Sequence, residues 1–486
     1  MRIVVAASEM APLAKTGGLG DVLGALPRAM AREGHDVRMF LPHYSSIDLS
    51  ERKVTRIGSN LSIDVGGTAH EVTLNVVKDR QRGLEIILIG CDHYFKRASL
   101  YIDPETGKDY ADNDERFILF NRAVLEACRA IGLRPDIIHA HDWQAALLPV
   151  YLKTLYANDE VFSGAHSVLT IHNLAHQGQF PGERFRLLKL PDRLFGAGEA
   201  VEFYGQVNFL KAGISFADKI TTVSRRYAEE IQTGKFGCGL EGVLVNRKDD
   251  LSGILNGVDY SVWSPSRDKN IPYRYHINNL AGKRMTKVEL LNAAGLPVRE
   301  YAPLIGMIAR LVQQKGLDLI AEAADRMMAM DIQFIALGTG EEKYHKLLTM
   351  LQEQYPDKVR VYLKHDEKIA HQIEAGADAF LMPSLFEPCG LNQMYSLKYG
   401  TVPIVNHVGG LADTIEPFNP ERGTGTGFIF NEESPEAMLE AIEKMVHTYS
   451  RRRLWTGLMK NGMRQDYSWG RAVAGYIELF RSLKDQ

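Results

Sequence analysis

Several short segments carry residues whose types and order suit the handling of a phosphate. Lys15-Thr16-Gly17-Gly18-Leu19-Gly20-Asp21 follows an apolar run and precedes a helical pattern. A glycine turn at a helix start exposes backbone N–H groups and the positive end of the helix dipole, and Lys15 adds a point charge. The same glycines also serve a plain strand–helix turn. The segment is not a P-loop, because the lysine precedes the glycines and no Gly-Lys-Ser/Thr closes it. Nor is it a good dinucleotide fingerprint, because the second strand ends Phe40-Leu41-Pro42-His43 without a ribose-binding acid.

The second half repeats the logic. An apolar run, Leu304–Ala309, ends in Arg310 and continues Leu311-Val312-Gln313-Gln314-Lys315-Gly316 into a helical pattern. Taken alone, Arg310 and Lys315 read as exposed surface cations; at the carboxyl end of a strand they stand where α/β sheets bind ligands. Another turn, Gly338-Thr339-Gly340-Glu341, follows the next strand. The most specific segment is Pro383-Ser384-Leu385-Phe386-Glu387-Pro388-Cys389-Gly390-Leu391-Asn392-Gln393-Met394-Tyr395. Its Pro388 and Gly390 fix a turn, and a helix from about Leu391 points its N–H groups back at that turn. An acidic residue beside an anion-binding helix start suits a sugar diphosphate; a capped loop with a solvated glutamate is the plainer alternative.

Histidines cluster in His139-Ala140-His141-Asp142-Trp143 and Thr170-Ile171-His172-Asn173, but no third ligand accompanies the His-x-His pair, so zinc is disfavoured. A lone histidine such as His172 is more often a structural residue than a catalyst. Asp112-Asn113-Asp114 matches a metal-binding Asp-x-Asp pattern. It opens the helical run Asp114–Ala130 rather than following a strand, so it reads as helix caps and dipole partners.

These residues need elements to hold them. Continuous β-branched runs at Ile3–Ala7, Val37–Leu41, Ile137–Ala140, Val168–Ile171 and Ile220–Val223 predict strands buried on both faces. A second set lies at Leu304–Ala309, Phe334–Leu337, Val361–Leu363, Ala379–Met382 and Ile404–Val405. Helical patterns such as Asp21–Glu33 and Leu317–Met330 separate them, which predicts parallel α/β architecture. Residues 54–90 alternate around Gly66-Gly67 and predict an inserted antiparallel hairpin. The loop-rich stretch Asn246–Tyr275 suggests a domain boundary, and a last helix is expected over Arg471–Leu483.

The 486 residues exceed one ordinary core, and 45% apolar with 24% charged residues is a globular balance. With 57 basic and 60 acidic residues, net charge −3, the chain lacks the basic excess of a nucleic-acid or anionic-membrane binder. The four cysteines stand far apart, which fits a reducing compartment. The N-terminal apolar run is too short for a signal peptide core, and no run reaches a membrane span, so the expected location is cytoplasmic.

Taken in order, the segments resemble the bacterial glycogen synthase and plant starch synthase family. The resemblance rests on Lys15–Val22, His139–Trp143, His172–Leu174, Leu210–Asp218, Ile254–Trp263, Arg310–Gly316, Pro383–Tyr395, Gly409–Thr414 and Gly425–Phe428. It implies a GT-B α/β fold, two Rossmann-like domains facing across a deep cleft, with the C-terminal helix crossing back to the first. The implied bounds are 1–247, 248–460 and 461–486. It also implies a retaining, metal-independent transfer of glucose from ADP-glucose to a glycogen or malto-oligosaccharide acceptor, with no cofactor, nucleic acid or membrane partner. His172, Arg310, Lys315 and Glu387 would be catalytic. Lys15, Gly17, Gly18, Asp21, Tyr101, Asp142, Asn173, Asn256, His365, Cys389, Gly390 and Leu391 would bind substrate. The chain departs from the family at Asn406 and Val408, where Arg and Thr are common, and at His365, where a base-stacking Tyr is usual. A GT-B enzyme with a small acceptor, a two-Rossmann oxidoreductase and an inactive glucan-binding protein are the competing readings.

Overall fold

A computed structural model describes residues 1–485, which form two compact units. The first comprises residues 1–223 and 228–257 together with the C-terminal stretch from Trp469; the second comprises 224–227 and 258–468.

In the first unit the main strands are β1 (Arg2–Ala6), β2 (Asp36–Pro42), β3 (Val54–Arg56), β4 (Leu61–Val65), β5 (Thr68–Lys78), β6 (Leu84–Gly90), β7 (Ile137–His141) and β8 (His166–Ile171). The short β9 (Gln179–Pro181), β10 (Glu202–Phe203) and β11 (Gln206–Asn208) make a separate three-stranded sheet, which the sequence reading did not foresee. β12 (Lys219–Thr222) and β13 (Leu251–Gly253) complete the main, 10-stranded sheet. Its order is β13-β12-β8-β7-β1-β2-β6-β5-β3, with β4 paired to β5. Neighbours from β13 through β6 are all parallel, and β5, β3 and β4 add an antiparallel edge.

The hairpin at Gly66-Gly67 forms as β4 and β5. The last part of the 54–90 stretch does not belong to it: Leu84–Gly90 enters the parallel core beside β2, with register Val37↔Leu84. Its burial explains this, since almost every side chain is buried whichever face it points to.

In the second unit the strands are β14 (Leu304–Ile308), β15 (Gln333–Leu337), β16 (Val359–Tyr362), β17 (Ala379–Met382), β18 (Val402–Asn406) and β19 (Phe428–Phe430). The order β16-β15-β14-β17-β18-β19 is wholly parallel. In chain order this is 3-2-1-4-5-6, the doubly wound arrangement of nucleotide-binding domains. Ile305, Phe334 and Leu381 pack into one apolar cluster, and Leu304, Ile335 and Phe380 into another. Each strand thus feeds two cores, which is why its sequence is continuously apolar rather than alternating.

The first unit runs past residue 247, because β13 adds a strand beside β12. The chain leaves it at Gly257 and returns at Trp469, not at 461: the helix Arg452–Met463 belongs to the second unit. A Cβ on Gly257 would lie 2.6 Å from Trp469 Cα, so the crossing strands need a glycine there. The returning helix, Trp469–Lys484, packs on the first helix, Gly18–Arg32, burying Val473, Tyr476 and Phe480. Among the described residues no helix is long and apolar enough to cross a membrane.

Candidate active site

Ligands of open α/β sheets gather where strand order reverses, outside the carboxyl strand ends. In the first unit this point lies between β1 and β7, and in the second between β14 and β17. The predicted residues fall on the loops that leave these strands and their neighbours.

In the first unit, Ser8 and Glu9 follow the end of β1, and Glu9 organises the glycine loop. Its buried carboxylate accepts the Thr16 N–H at 2.7 Å, the Thr16 hydroxyl at 2.7 Å and the Gly17 N–H at 3.2 Å. The Tyr101 hydroxyl stands 3.0 Å from Glu9 Oε1 and 2.6 Å from Ser8 Oγ. Burial and the neighbouring Tyr44 and Glu9 hold the Tyr101 phenol far above its usual range. Tyr101 therefore braces the loop from behind. Glu9 is a site residue absent from the sequence-based set, and its place just beyond the first apolar run is the one local signal for it. Lys15 Nζ pairs with Asp21 at 2.6 Å. A Cβ on Gly17 or Gly18 would meet no atom within 4 Å, so the protein itself leaves that backbone open to a ligand.

β7 and β8 are adjacent and parallel, which brings His141 and His172 together: His141 Nδ1 lies 2.9 Å from His172 Nε2. Asp142 sits in the left-handed region, at φ 55°, a conformation that turns its carboxylate to accept the His172 N–H at 2.7 Å. Burial pushes the Asp142 carboxyl up to about 7, against the pull of the His172 and Asn173 N–H groups and with a smaller push from Glu9. Burial pushes His172 down to about 3, so its imidazole is neutral at neutral pH. Asn173 Oδ1 accepts the Ala175 N–H, closing a turn after His172. Asn256 is buried at the end of β13, its Oδ1 without a partner.

In the second unit the loops after β14, β17 and β18 converge. Leu385 N–H donates to Gln314 O at 2.9 Å, and Gly410 N–H to Glu387 O at 3.0 Å. Lys315 Nζ meets Glu387 Oε2 at 2.5 Å, and the Ser384 hydroxyl donates to the same oxygen at 2.9 Å. Glu387 is buried and Lys315 half-buried, so the pair forms one wall rather than two solvated charges. Gly316 has φ +68°, and a Cβ there would lie 1.9 Å from Pro383 O. That approach is what lets the Lys315 and Glu387 loops touch. Arg310 is exposed at the end of β14 with no side-chain partner among the described residues.

The helices Asn392–Tyr399 and Gly409–Thr414 both begin without a side-chain cap, at Leu391 and Val408. In the first of these the Asn392 and Gln393 N–H groups stay available to an anion, whereas in the second the Gly410 N–H is already given to Glu387 O. Gly390 is left-handed at φ +69°, and Gln393 ties Cys389 O at 2.9 Å to Thr414 at 3.2 Å. The family departures now have structural roles. Asn406 is buried and donates to Ser384 O at 2.9 Å, bracing the Glu387 loop. Val408 withholds a hydroxyl from the start of the helix that follows it. His365 is exposed beyond the carboxyl end of β16, beside Asp366, which caps the next helix through the Ile369 N–H at 3.0 Å.

Asp112 and Asp114 do not cap as expected. Asp112 occupies the N-cap position without a cap bond, because Arg97 takes its carboxylate at 2.7 Å. Asp114 is buried against Arg184, with Nη2 at 2.8 Å. Among the described residues no group of three or more His, Cys, Asp and Glu side chains gathers as a metal site.

A largely parallel sheet and a wholly parallel, doubly wound one, with cationic and anion-binding groups at the second one's switch point, are the fold of the GT-B glycosyltransferases that the following matches share. Residues 2–246 match the starch synthase catalytic domain family, and residues 292–456 match glycosyl transferases group 1. A glycogen synthase of Koribacter versatilis is 46% identical over 484 residues, covering 100% of this chain and 98% of that protein. One from Anaeromyxobacter dehalogenans is 46% identical over 485 residues, covering 99% and 100%. The catalytic domain of starch synthase IV from Arabidopsis thaliana, solved bound to ADP and acarbose, is 32% identical with a TM-score of 0.91, covering 100% of this chain and 99% of that one. The chain belongs to the glycogen synthase family.

Proposed function

We propose that this protein transfers glucose from ADP-glucose to the non-reducing end of an α-1,4-glucan, with retention of configuration and without a metal ion. The observation that carries the reading is the Lys315–Glu387 pair at the second unit's switch point, flanked by the uncapped start of the helix Asn392–Tyr399. The donor's relevance is supported by the relatives: the Arabidopsis starch synthase structure holds ADP.

The chemistry asks little of an acid or base. As the C1–phosphate bond breaks, positive charge builds on the sugar and negative charge on the diphosphate. Arg310, Lys315 and the helix N–H groups stabilise the leaving group. Glu387 accepts hydrogen bonds from glucose hydroxyls while fixing Lys315. The acceptor's 4-hydroxyl attacks C1 from the face the diphosphate leaves, and its proton passes to a departing phosphate oxygen. No protein base enters this step. Asp142 positions the His172 backbone through its N–H, and His172 contributes as a neutral imidazole.

The test is incorporation of labelled glucose into glycogen from ADP-glucose and from UDP-glucose. Transfer with a higher kcat/KM for ADP-glucose is expected. No transfer from either donor rejects the reading, and a preference for UDP-glucose rejects the donor.

A further inference from the structure

The assigned residues leave His141 without a task, yet it is the side chain that touches His172. Its ring is fully buried, Nδ1 lies 2.9 Å from His172 Nε2, and its own Nε2 has no partner among the described residues. The His139 ring packs against it at 4.0 Å between centroids and is held at 2.6 Å by Thr170 Oγ1. The His141 end of the bond to His172 therefore lies in a dry stack, and one of the two rings must donate.

If His141 accepted, its proton would sit on Nε2, a buried N–H with nothing to receive it. Buried N–H groups without an acceptor are rare, because the group gives up its water with nothing in exchange. If His141 donates from Nδ1, its Nε2 is a bare lone pair, His172 Nε2 accepts, and the His172 proton moves to Nδ1. We propose that His141 is a positioning residue that locks His172 in the Nδ1–H tautomer, presenting an N–H donor to the sugar and blocking the nitrogen that would otherwise take up a proton.

The consequence deepens the reading above and rests on it. A histidinium beside a sugar that is gaining positive charge would oppose the reaction. With Nε2 occupied by the bond from His141, His172 stays a neutral donor through the step. The full burial of the His139 and His141 rings, and the partial burial of His172 against them, disfavour the charged form and agree with this.

Two measurements test it. In the full chain labelled with ring-15N histidine, two-bond 1H–15N correlations report each tautomer, and loss of one pattern in His172→Gln assigns His172. A pyrrole-type Nδ1 and a pyridine-type Nε2 are expected; a protonated Nε2 overturns the proposal. In activity, His141→Asn keeps a donor near the Nδ1 position and His141→Leu removes it. The leucine variant should lose roughly 10–100-fold in kcat with little change in KM for the donor, a loss typical of an orienting partner, and the asparagine variant should recover most of it. Equal loss in both variants, or none in either, overturns the positioning role. Should His141→Leu fail to fold, the wild-type tautomer still decides. Should the wild-type enzyme transfer no glucose, the functional reading fails, while the tautomer measurement stands on its own.

Discussion

Lys315 and Glu387 are 72 positions apart in sequence and 2.5 Å apart in space, while Arg310 stands exposed nearby in the chain with no side-chain partner. The two cations should therefore fail differently. Arg310→Ala removes only a contact to the leaving diphosphate, and kcat should fall about 10²–10³-fold with the melting temperature unchanged. Lys315→Ala should lower kcat similarly and also strip a buried carboxylate of its charge partner, costing about 1–3 kcal/mol of stability. Adding Glu387→Gln to Lys315→Ala should restore the stability but not the rate. Near-normal turnover in both single variants would sink the assignment. At the nucleotide end, His365→Ala should raise KM for ADP-glucose, and His365→Tyr should lower it or leave it unchanged, because a larger ring stacks better. An unchanged KM in the alanine variant would remove His365 from base recognition.

At the scale of elements, the helix Glu367–Gly376 is tied to the helix Asn392–Tyr399, which follows the Glu387 loop. Glu374, fully buried, accepts from Ser396 at 2.6 Å and Asn392 at 3.2 Å. Burial lifts its carboxyl to about 8 from 4.5, with the two hydrogen bonds and Lys283 pulling the other way. Between these values the folded chain keeps a proton that the unfolded chain releases. Stability then falls as pH rises through this window. Glu374→Gln cannot release a proton, so the difference in melting temperature should shift in favour of the glutamine variant from pH 5 to pH 8. A difference that stays flat over that range would mean the carboxyl is not protonated. The apolar runs were legible for the strands because each feeds two cores. Leu84–Gly90 was misassigned because a neighbouring alternating hairpin masked an equally apolar core strand. The β9–β11 sheet escaped notice because its strands are too short to show a period.

At the scale of the whole molecule, the C-terminal helix closes the first unit. Tyr476 and Phe480 lie 5.2 and 5.5 Å from the His139 ring, behind the residues that hold His172. Phe480 is fully buried, so Phe480→Ala should cost about 3–5 kcal/mol, measured by denaturant unfolding, and should lower kcat through the His139–His141 stack. Full activity at normal stability would show the helix to be a passive cover. A further whole-enzyme test is chelation: transfer should persist in EDTA, since Arg97 and Arg184 occupy Asp112 and Asp114. Activity lost in EDTA and restored by Mg²⁺ or Mn²⁺ would reject the metal-free step.

The sequence alone determined the parallel α/β architecture, the glycine and cation loops at strand ends and, through their ordered resemblance, the family. Those features are local, because strand burial, turn chemistry and helix starts are written within a few residues of each other. It did not determine which groups touch. That His141 bonds His172 and that Asn406 braces the Glu387 loop depend on strand order and register. Adjacent parallel strands bring together residues 31 positions apart in one case and 22 in another. Only the folded sheet decides which loops share a switch point, and so which side chains lose water together and shift one another's charge.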